Sequence, residues 1–331
     1  MCAADFRAAC KKAGLALTVI FAARCAADAV TALIGALMAD CDAQITSSVQ
    51  ALAGILILYV LAIAVTSKLL GYHFDGSLYK KPKRLGKAVS WFVPMYGAGQ
   101  VANIAVMAIS FLIVRDSSAV QDTLAPIVSK GLGLGGWYLA FLFIQMAVLA
   151  PLFEEYWFRG VIQTSLMPYG NGFAILVSSL CFGMAHGNIH QFCYTMIVGI
   201  CLGYVRYATG SLVPTMIMHA IFNSIAGIAI VAVSSDTFIS AVSHVQQGIE
   251  LSSGEQAFMT VLMLYLAVVL IVAVVGISAA IGKLKNNRLY RPVNNYPELT
   301  KKQKFIAVTK EPLFIVGFIL CTAYIIAMMI I

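Results

Sequence analysis

The sequence predicts an all-α polytopic membrane protein, and three observations carry that prediction. Of its 331 residues, 61% are hydrophobic and 11% are charged, whereas soluble domains carry about 25% charged residues. Apolar runs of roughly twenty residues recur from end to end, and inside a bilayer such a run satisfies its backbone only as a helix. The bases, finally, gather in loops beside these runs. The formal net charge of +8 therefore reflects bilayer orientation and anionic headgroups rather than nucleic acid.

Nine spans are read from the apolar runs, at roughly 13–39, 49–67, 88–114, 136–166, 172–187, 192–207, 212–234, 256–282 and 311–331. The first follows Arg7, Lys11 and Lys12 as a signal peptide would. Its run continues to Ala39 and contains Arg24 and Asp28, which predicts a retained span. Arg24 and Asp28 stand i,i+4 and predict a self-neutralising pair in the bundle interior. The fourth run is long enough to tilt or to project beyond the bilayer. Gly131 to Gly136, which lacks the Lys-Ser/Thr of a phosphate loop, predicts a flexible entry to it. The fifth and sixth runs are short, are joined by Gly187-Asn188, and predict a buried pair. Within the sixth, Gly199 and Gly203 have the GxxxG spacing of close helix packing.

Loop charges set the orientation. Loop 68–87 holds Lys68, Lys80, Lys81, Lys83, Arg84 and Lys87. Loop 283–310 holds Lys283, Lys285, Arg288, Arg291, Lys301, Lys302, Lys304 and Lys310, and with Tyr290 and Tyr296 it reads as a solvated loop touching anionic lipid. Loops 40–48 and 235–255 have no Lys or Arg, and 115–135 has Arg115 and Lys130 alone. Nine spans bring every base-rich segment to one side, which the positive-inside rule makes cytoplasmic, with the N-terminus inside and the C-terminus outside. A compact chain without a soluble domain reads as a bacterial cytoplasmic-membrane protein. It divides into N-terminal helices (1–130), a core (131–235) and C-terminal helices with the basic loop (236–331), forming one integral unit. The cysteines (Cys2, Cys10, Cys25, Cys41, Cys181, Cys193, Cys201 and Cys321) are scattered without CxxC and read as small apolar residues.

One stretch breaks the apolar pattern. Pro151-Leu-Phe-Glu-Glu-Tyr-Trp-Phe-Arg-Gly160 sets Glu154, Glu155 and Arg159 inside the fourth span, where an unpaired carboxylate costs several kcal/mol. Glu155 and Arg159 are i,i+4 and predict an ion pair. Glu154 is rotated about 100° from Glu155 and is expected to point elsewhere, without a partner in the motif. His186 closes the fifth span, and His219 and Asn223 share one face of the seventh. Together Glu154, His186, His219 and Asn223 supply a base, a second proton-handling group and two donors for an oxyanion. That inventory suits attack of an activated water on an amide. A lone buried histidine is usually a hydrogen-bonding core residue; convergence from three spans is what raises the functional reading.

In these same residues the chain resembles the CPBP family of CAAX prenyl endopeptidases and bacteriocin-processing membrane proteases. Glu154-Glu155-x-x-x-Arg159, Phe182-x-x-x-His186 and His219-x-x-x-Asn223 match its three ordered motifs, and Gly199-x-x-x-Gly203 and Thr209-Gly-Ser-Leu-x-Pro214 also look familial. The resemblance covers about residues 135–230. It implies an eight-helix-like intramembrane protease core opening toward the cytoplasm. Glu154 would activate water with help from His186, His219 and Asn223 would hold the oxyanion, and Glu155 and Arg159 would keep the site's shape. The family has been described both as metalloproteases and as glutamate proteases. Glu154, His186 and His219 could hold zinc with water in the fourth position, but the metal-free reading is favoured. A His186–His190 ligand pair is disfavoured because Gly187-Asn188 should break the helix between them.

The leading expectation is an intramembrane endopeptidase acting on membrane-associated peptides or proteins, with the peptide-processing branch preferred over prenylated CaaX proteins. Its expected partners are membrane lipids and that substrate, with no nucleic acid. A non-enzymatic scaffold or immunity protein is the alternative, although a binder has no need of both glutamates, both histidines and Asn223. A transporter would show broken helices in inverted halves, and no such symmetry is visible.

Overall fold

The computed structural model describes residues 3–114, 136–285 and 299–330. Among them the chain is helical, with no strand. The helices are α1 (Ala3–Leu37), α2 (Ala43–Leu70), α3 (Phe92–Val114), α4 (Trp137–Tyr169), α5 (Asn171–Ala185), α6 (Ile189–Thr209), α7 (Val213–Val233), α8 (Asp236–Gln247), α9 (Ser253–Lys285), α10 (Lys301–Thr309) and α11 (Pro312–Ile330). The Gly131–Gly135 entry, Cys2, Arg115, Lys130, Arg288, Tyr290, Arg291 and Tyr296 lie outside the described residues.

The all-helical membrane class holds, but the count of nine spans is not established. Among the described residues, six helices (α1, α2, α4, α6, α7 and α9) are long and apolar enough to cross a bilayer, or seven if α10 and α11, bent by 72° at Lys310-Glu311, count as one. The predicted fifth span is α5, whose 15 residues rise about 22 Å, short of a hydrocarbon core about 30 Å thick. Loop 235–255 is corrected too, since it contains α8. Ser235 caps α8 through the Phe238 amide, Ala241 is buried on it, and Gly248 ends it in a left-handed turn (φ 69°). A segment too short and too polar to span folds as an amphipathic helix instead.

Packing follows the small residues. α1 lies along α11, α3 along α9, and α5 along α6, which also touches α3. Where α3 crosses α9, Gly97 and Gly276 face each other so closely that a Cβ on either would overlap the other helix's backbone. The seven described cysteines are free thiols.

Base-rich segments meet at one end of the bundle. Lys12 Nζ donates to Leu70 O (3.0 Å), the Lys83 amide to Thr209 O (2.9 Å), the Leu212 amide to Leu78 O (2.8 Å) and Lys283 Nζ to Ser90 O (2.6 Å). There the α6–α7 connection is buried on both sides of the exposed Gly210, with Thr209, Ser211 and Leu212 at most 1% exposed beneath the 3-10 turn Gly76–Tyr79. α7 therefore starts inside the protein. The sunken start of α7 helps set His219 beside the same Phe182 ring that His186 meets. The Arg24–Asp28 pair is a correction. Arg24 Nη2 donates to His186 O (2.8 Å), while Asp28 accepts from the Tyr324 hydroxyl. Partners on α5 and α11 replace the local pair.

Candidate active site

α4 reaches the site through irregular turns. Gln145–Leu149 and Glu155–Gln163 are π-helical, a rare form that occurs mostly as bulges near functional sites. Pro151 accounts for part of this, because it has no N–H to donate. The Ala150 amide bonds Gln145 O, so neither it nor Pro151 serves Met146 O. Asn223 fills the vacancy, its Nδ2 donating to Met146 O at 2.9 Å. One amide N–H of the expected oxyanion donor is thus committed to the backbone, and one is left.

A turn closed i→i+5 holds more than the 3.6 residues of an α-helix, so neighbouring side chains diverge by less than 100°. Glu154 and Glu155 consequently both reach His219, so the expectation that the two point to different places is corrected, while the partners of Glu154 lie outside the 151–160 motif. Tyr59 Oη, from the π-helical Leu56–Leu61 turn of α2, donates to Glu154 Oε1 at 2.6 Å. Its ring stacks on Phe153 at 5.6 Å. Glu154 Oε2 lies 3.6 Å from His219 Nε2. On the other side of the imidazole, His219 Nδ1 is 2.9 Å from Glu155 Oε1, which also lies 2.9 Å from Arg159 Nη1.

Glu155 and Arg159 are both 0% exposed, so the i,i+4 pair read from the sequence is a fully buried ion pair. The guanidinium also rests 4.3 Å from the Phe182 ring centroid, a contact that favours a desolvated cation. Gly199 makes the space, since a Cβ there would sit 3.2 Å from Arg159 Nη2 and 3.1 Å from Ser179 Cβ. Gly203 does the same for Gln163, whose Nε2 donates to Gly203 O at 2.9 Å. The GxxxG stripe therefore packs α6 against the polar face of α4.

Phe182 orders both histidines, meeting the rings of His186 and His219 edge-on at 4.9 and 5.6 Å. His186 Nδ1 lies 2.8 Å from Phe182 O. A carbonyl only accepts, so Nδ1 carries the proton and the Nε2 of a neutral ring is an acceptor. His186 also lies within electrostatic reach of Glu154 and His219. The predicted break after it is present, with Gly187 left-handed (φ 71°) and Asn188 extended and capping α6 through the Gln191 amide. The side chain of His190 lies outside the described residues.

The structure thus gathers Glu154, Glu155, Arg159, His186 and His219 about Phe182, with Asn223 one turn beyond His219. Tyr59 escaped the sequence reading. It is one of 14 tyrosines and sits in an apolar run without a motif, so only tertiary structure could single it out. Among the described residues no three His, Cys, Asp or Glu side chains are placed to hold a metal ion. Nδ1 of each histidine is turned to Glu155 or to the Phe182 carbonyl, an arrangement also common in metal-bound histidines, and Nε2 of each stays open. No curated protein and no solved structure is similar enough to match. Residues 136–225, which include all six motif residues, match the family model described as type II CAAX prenyl endopeptidase Rce1-like. Over that central segment, about a quarter of the chain, it is similar to the CPBP (CAAX protease) family.

Proposed function

We propose that the protein is a CAAX-type intramembrane endopeptidase that cleaves membrane-associated peptides or proteins with water activated by Glu154. One observation carries the reading: the 3.6 Å gap between Glu154 Oε2 and His219 Nε2 in the family-matched segment. That gap is too long for a direct hydrogen bond and short enough for one water to touch both. Tyr59 fixes the other carboxylate oxygen, which aims Oε2 at the water.

Glu154 takes a proton as the water oxygen adds to the substrate carbonyl carbon. The tetrahedral oxyanion is held by His219 Nε2–H and the uncommitted N–H of Asn223. With Nδ1–H turned to Glu155, Nε2 donates in the doubly protonated form of the ring. His186, with Nε2 free to accept, shares the proton with Glu154. The proton then passes to the leaving nitrogen, the oxyanion re-forms a carbonyl as the C–N bond breaks, and a carboxylic acid and an amine depart, the acid giving its proton to the amine or to water. Glu155 and Arg159 hold His219 in place. No step uses a metal, a choice that rests on the donor geometry.

The family match favours a CaaX-type substrate over the peptide-processing branch. The base-rich end is taken as cytoplasmic, which sets the N-terminus inside. Mass spectrometry of new peptide termini, in membranes carrying wild type or Glu154→Gln at equal abundance, tests the proposal. Termini found only with wild type are expected. Identical profiles with both proteins folded would favour the non-enzymatic scaffold.

A further inference from the structure

An apolar cavity lies away from the Glu154–His219 site. It measures about 830 Å³ and runs along the first half of α5, walled by α10 and α11. Its lining is apolar, with Phe173, Leu176 and Leu180 on one side and Phe314, Phe318 and Ile319 on the other. Lys304, whose ammonium lies 5.8 Å from the Phe6 ring, borders it on α10. From the geometry and charge of this groove we propose that it is a binding site for one anionic phospholipid.

Shape and charge together select that occupant. α10 meets α11 at 72°, so one wall lies across the bundle end while the other runs along it. A phospholipid has the same bend, with its headgroup at the interface and its chains along the membrane normal. α5 leaves the room, because its roughly 22 Å fall short of the hydrocarbon thickness and a short helix must be compensated. Phe305, 68% exposed on α10 and facing the groove, suits the interfacial depth where aromatic rings collect. The described stretches beside the headgroup end, residues 5–12 and 302–311, carry Arg7, Lys11, Lys12, Lys302, Lys304 and Lys310 against Asp5 and Glu311. Lys12 is already engaged with Leu70 O and Lys304 has a protein contact of its own, and the excess over Asp5 and Glu311 is still positive without them. The volume lies within the roughly 300–1,000 Å³ of ligand sites.

The test uses purified full-length protein, stripped of lipid in detergent and offered equimolar phosphatidylglycerol and phosphatidylcholine, read by native mass spectrometry. One retained phosphatidylglycerol is expected. Lys304→Gln should cut its preference over phosphatidylcholine about fivefold, the scale of one lysine acting on an anionic lipid. Leu176→Trp, which fills the groove, should abolish the adduct, whereas Val268→Trp on the exposed face of α9 should keep it. Should Leu176→Trp fail to fold, the headgroup preference and Lys304→Gln still decide. Retention without headgroup preference, or unchanged in Lys304→Gln, overturns the proposal. So does displacement by a farnesylated peptide at equal concentration, which would make the groove a substrate-lipid path. No outcome depends on proteolysis, so failure here leaves the enzymatic reading standing.

Discussion

Two carboxylate–histidine clusters sit at opposite extremes of hydrogen-bond saturation. At the α8–α9 corner, Glu255 accepts from Ser240 Oγ (2.5 Å), from the Ser252 amide (2.9 Å) and hydroxyl (2.8 Å), and faces His244 Nδ1 at 3.1 Å. These partners all lie within fifteen residues of it in sequence. Glu154 draws its hydroxyl donor from 95 residues away, and its second oxygen faces an imidazole nitrogen 3.6 Å off. A saturated carboxylate has little left to offer a substrate; one held by a single oxygen keeps the other for chemistry. Presence of a Glu–His contact does not mark a reactive site, whereas an incomplete one reached from distant helices does.

The widest separation between the clusters should appear in turnover. Glu154→Gln is expected to lower cleavage by about 10²–10⁴-fold, the range of general-base contributions, while Glu255→Gln leaves it within about twofold. Quantified product termini from equal amounts of folded protein provide the readout, and comparable losses in both variants would end the distinction. Next in size is the support of His219. Arg159→Met strands Glu155 in the interior and should destabilise the protein by about 3–5 kcal/mol, read from unfolding midpoints in detergent. Adding Glu155→Leu should recover part of that loss without recovering activity. A double variant no more stable than the single would show that the pair was not the source.

Legibility in the sequence divides along the same line. The helical class and all six motif residues were readable because intramembrane charge is costly and i,i+4 spacing is local. The α5 shortfall was half visible, since its run was short, yet a short apolar run does not announce whether it crosses. Glu154's surroundings were hidden. An ideal helix turns Glu154 and Glu155 apart, and nothing local announced that Pro151 and the π-helical turns would rotate both onto His219. Tyr59, Met146 O and the sunken Thr209–Val213 connection depend on helices folded from afar. Arg24 and Asp28 show the reverse error, in which good local spacing was overridden by His186 O and Tyr324.

Tyr59 sharpens the comparison further. Its hydroxyl is the one described donor bonded directly to Glu154, so Tyr59→Phe frees Oε1 and lets the carboxylate rotate off the water. A hydrogen bond to a charged group is worth about 1.5–3 kcal/mol, which sets the expected loss in kcat/KM at roughly tenfold or more. A positioning role predicts that the loss falls on kcat and alters the pH profile of cleavage, because the base has lost a donor to its charged form. A loss confined to KM would assign Tyr59 to substrate binding instead.

The smallest effect belongs to the saturated cluster. Ser240→Ala takes one of several donors from Glu255, and the Ser252 amide and hydroxyl remain. The carboxylate stays solvated by the protein, so the unfolding midpoint should fall by no more than about 3 °C and turnover should not change. His244, about a third exposed, supplies the control. If His244→Ala or Ser240→Ala slowed cleavage as Tyr59→Phe does, the α8–α9 corner would be coupled to the site. Saturation would then cease to separate a structural carboxylate from a reactive one. Independence is the expectation because no described helix contact runs directly from α8 to α4 or α5 among the main packing pairs.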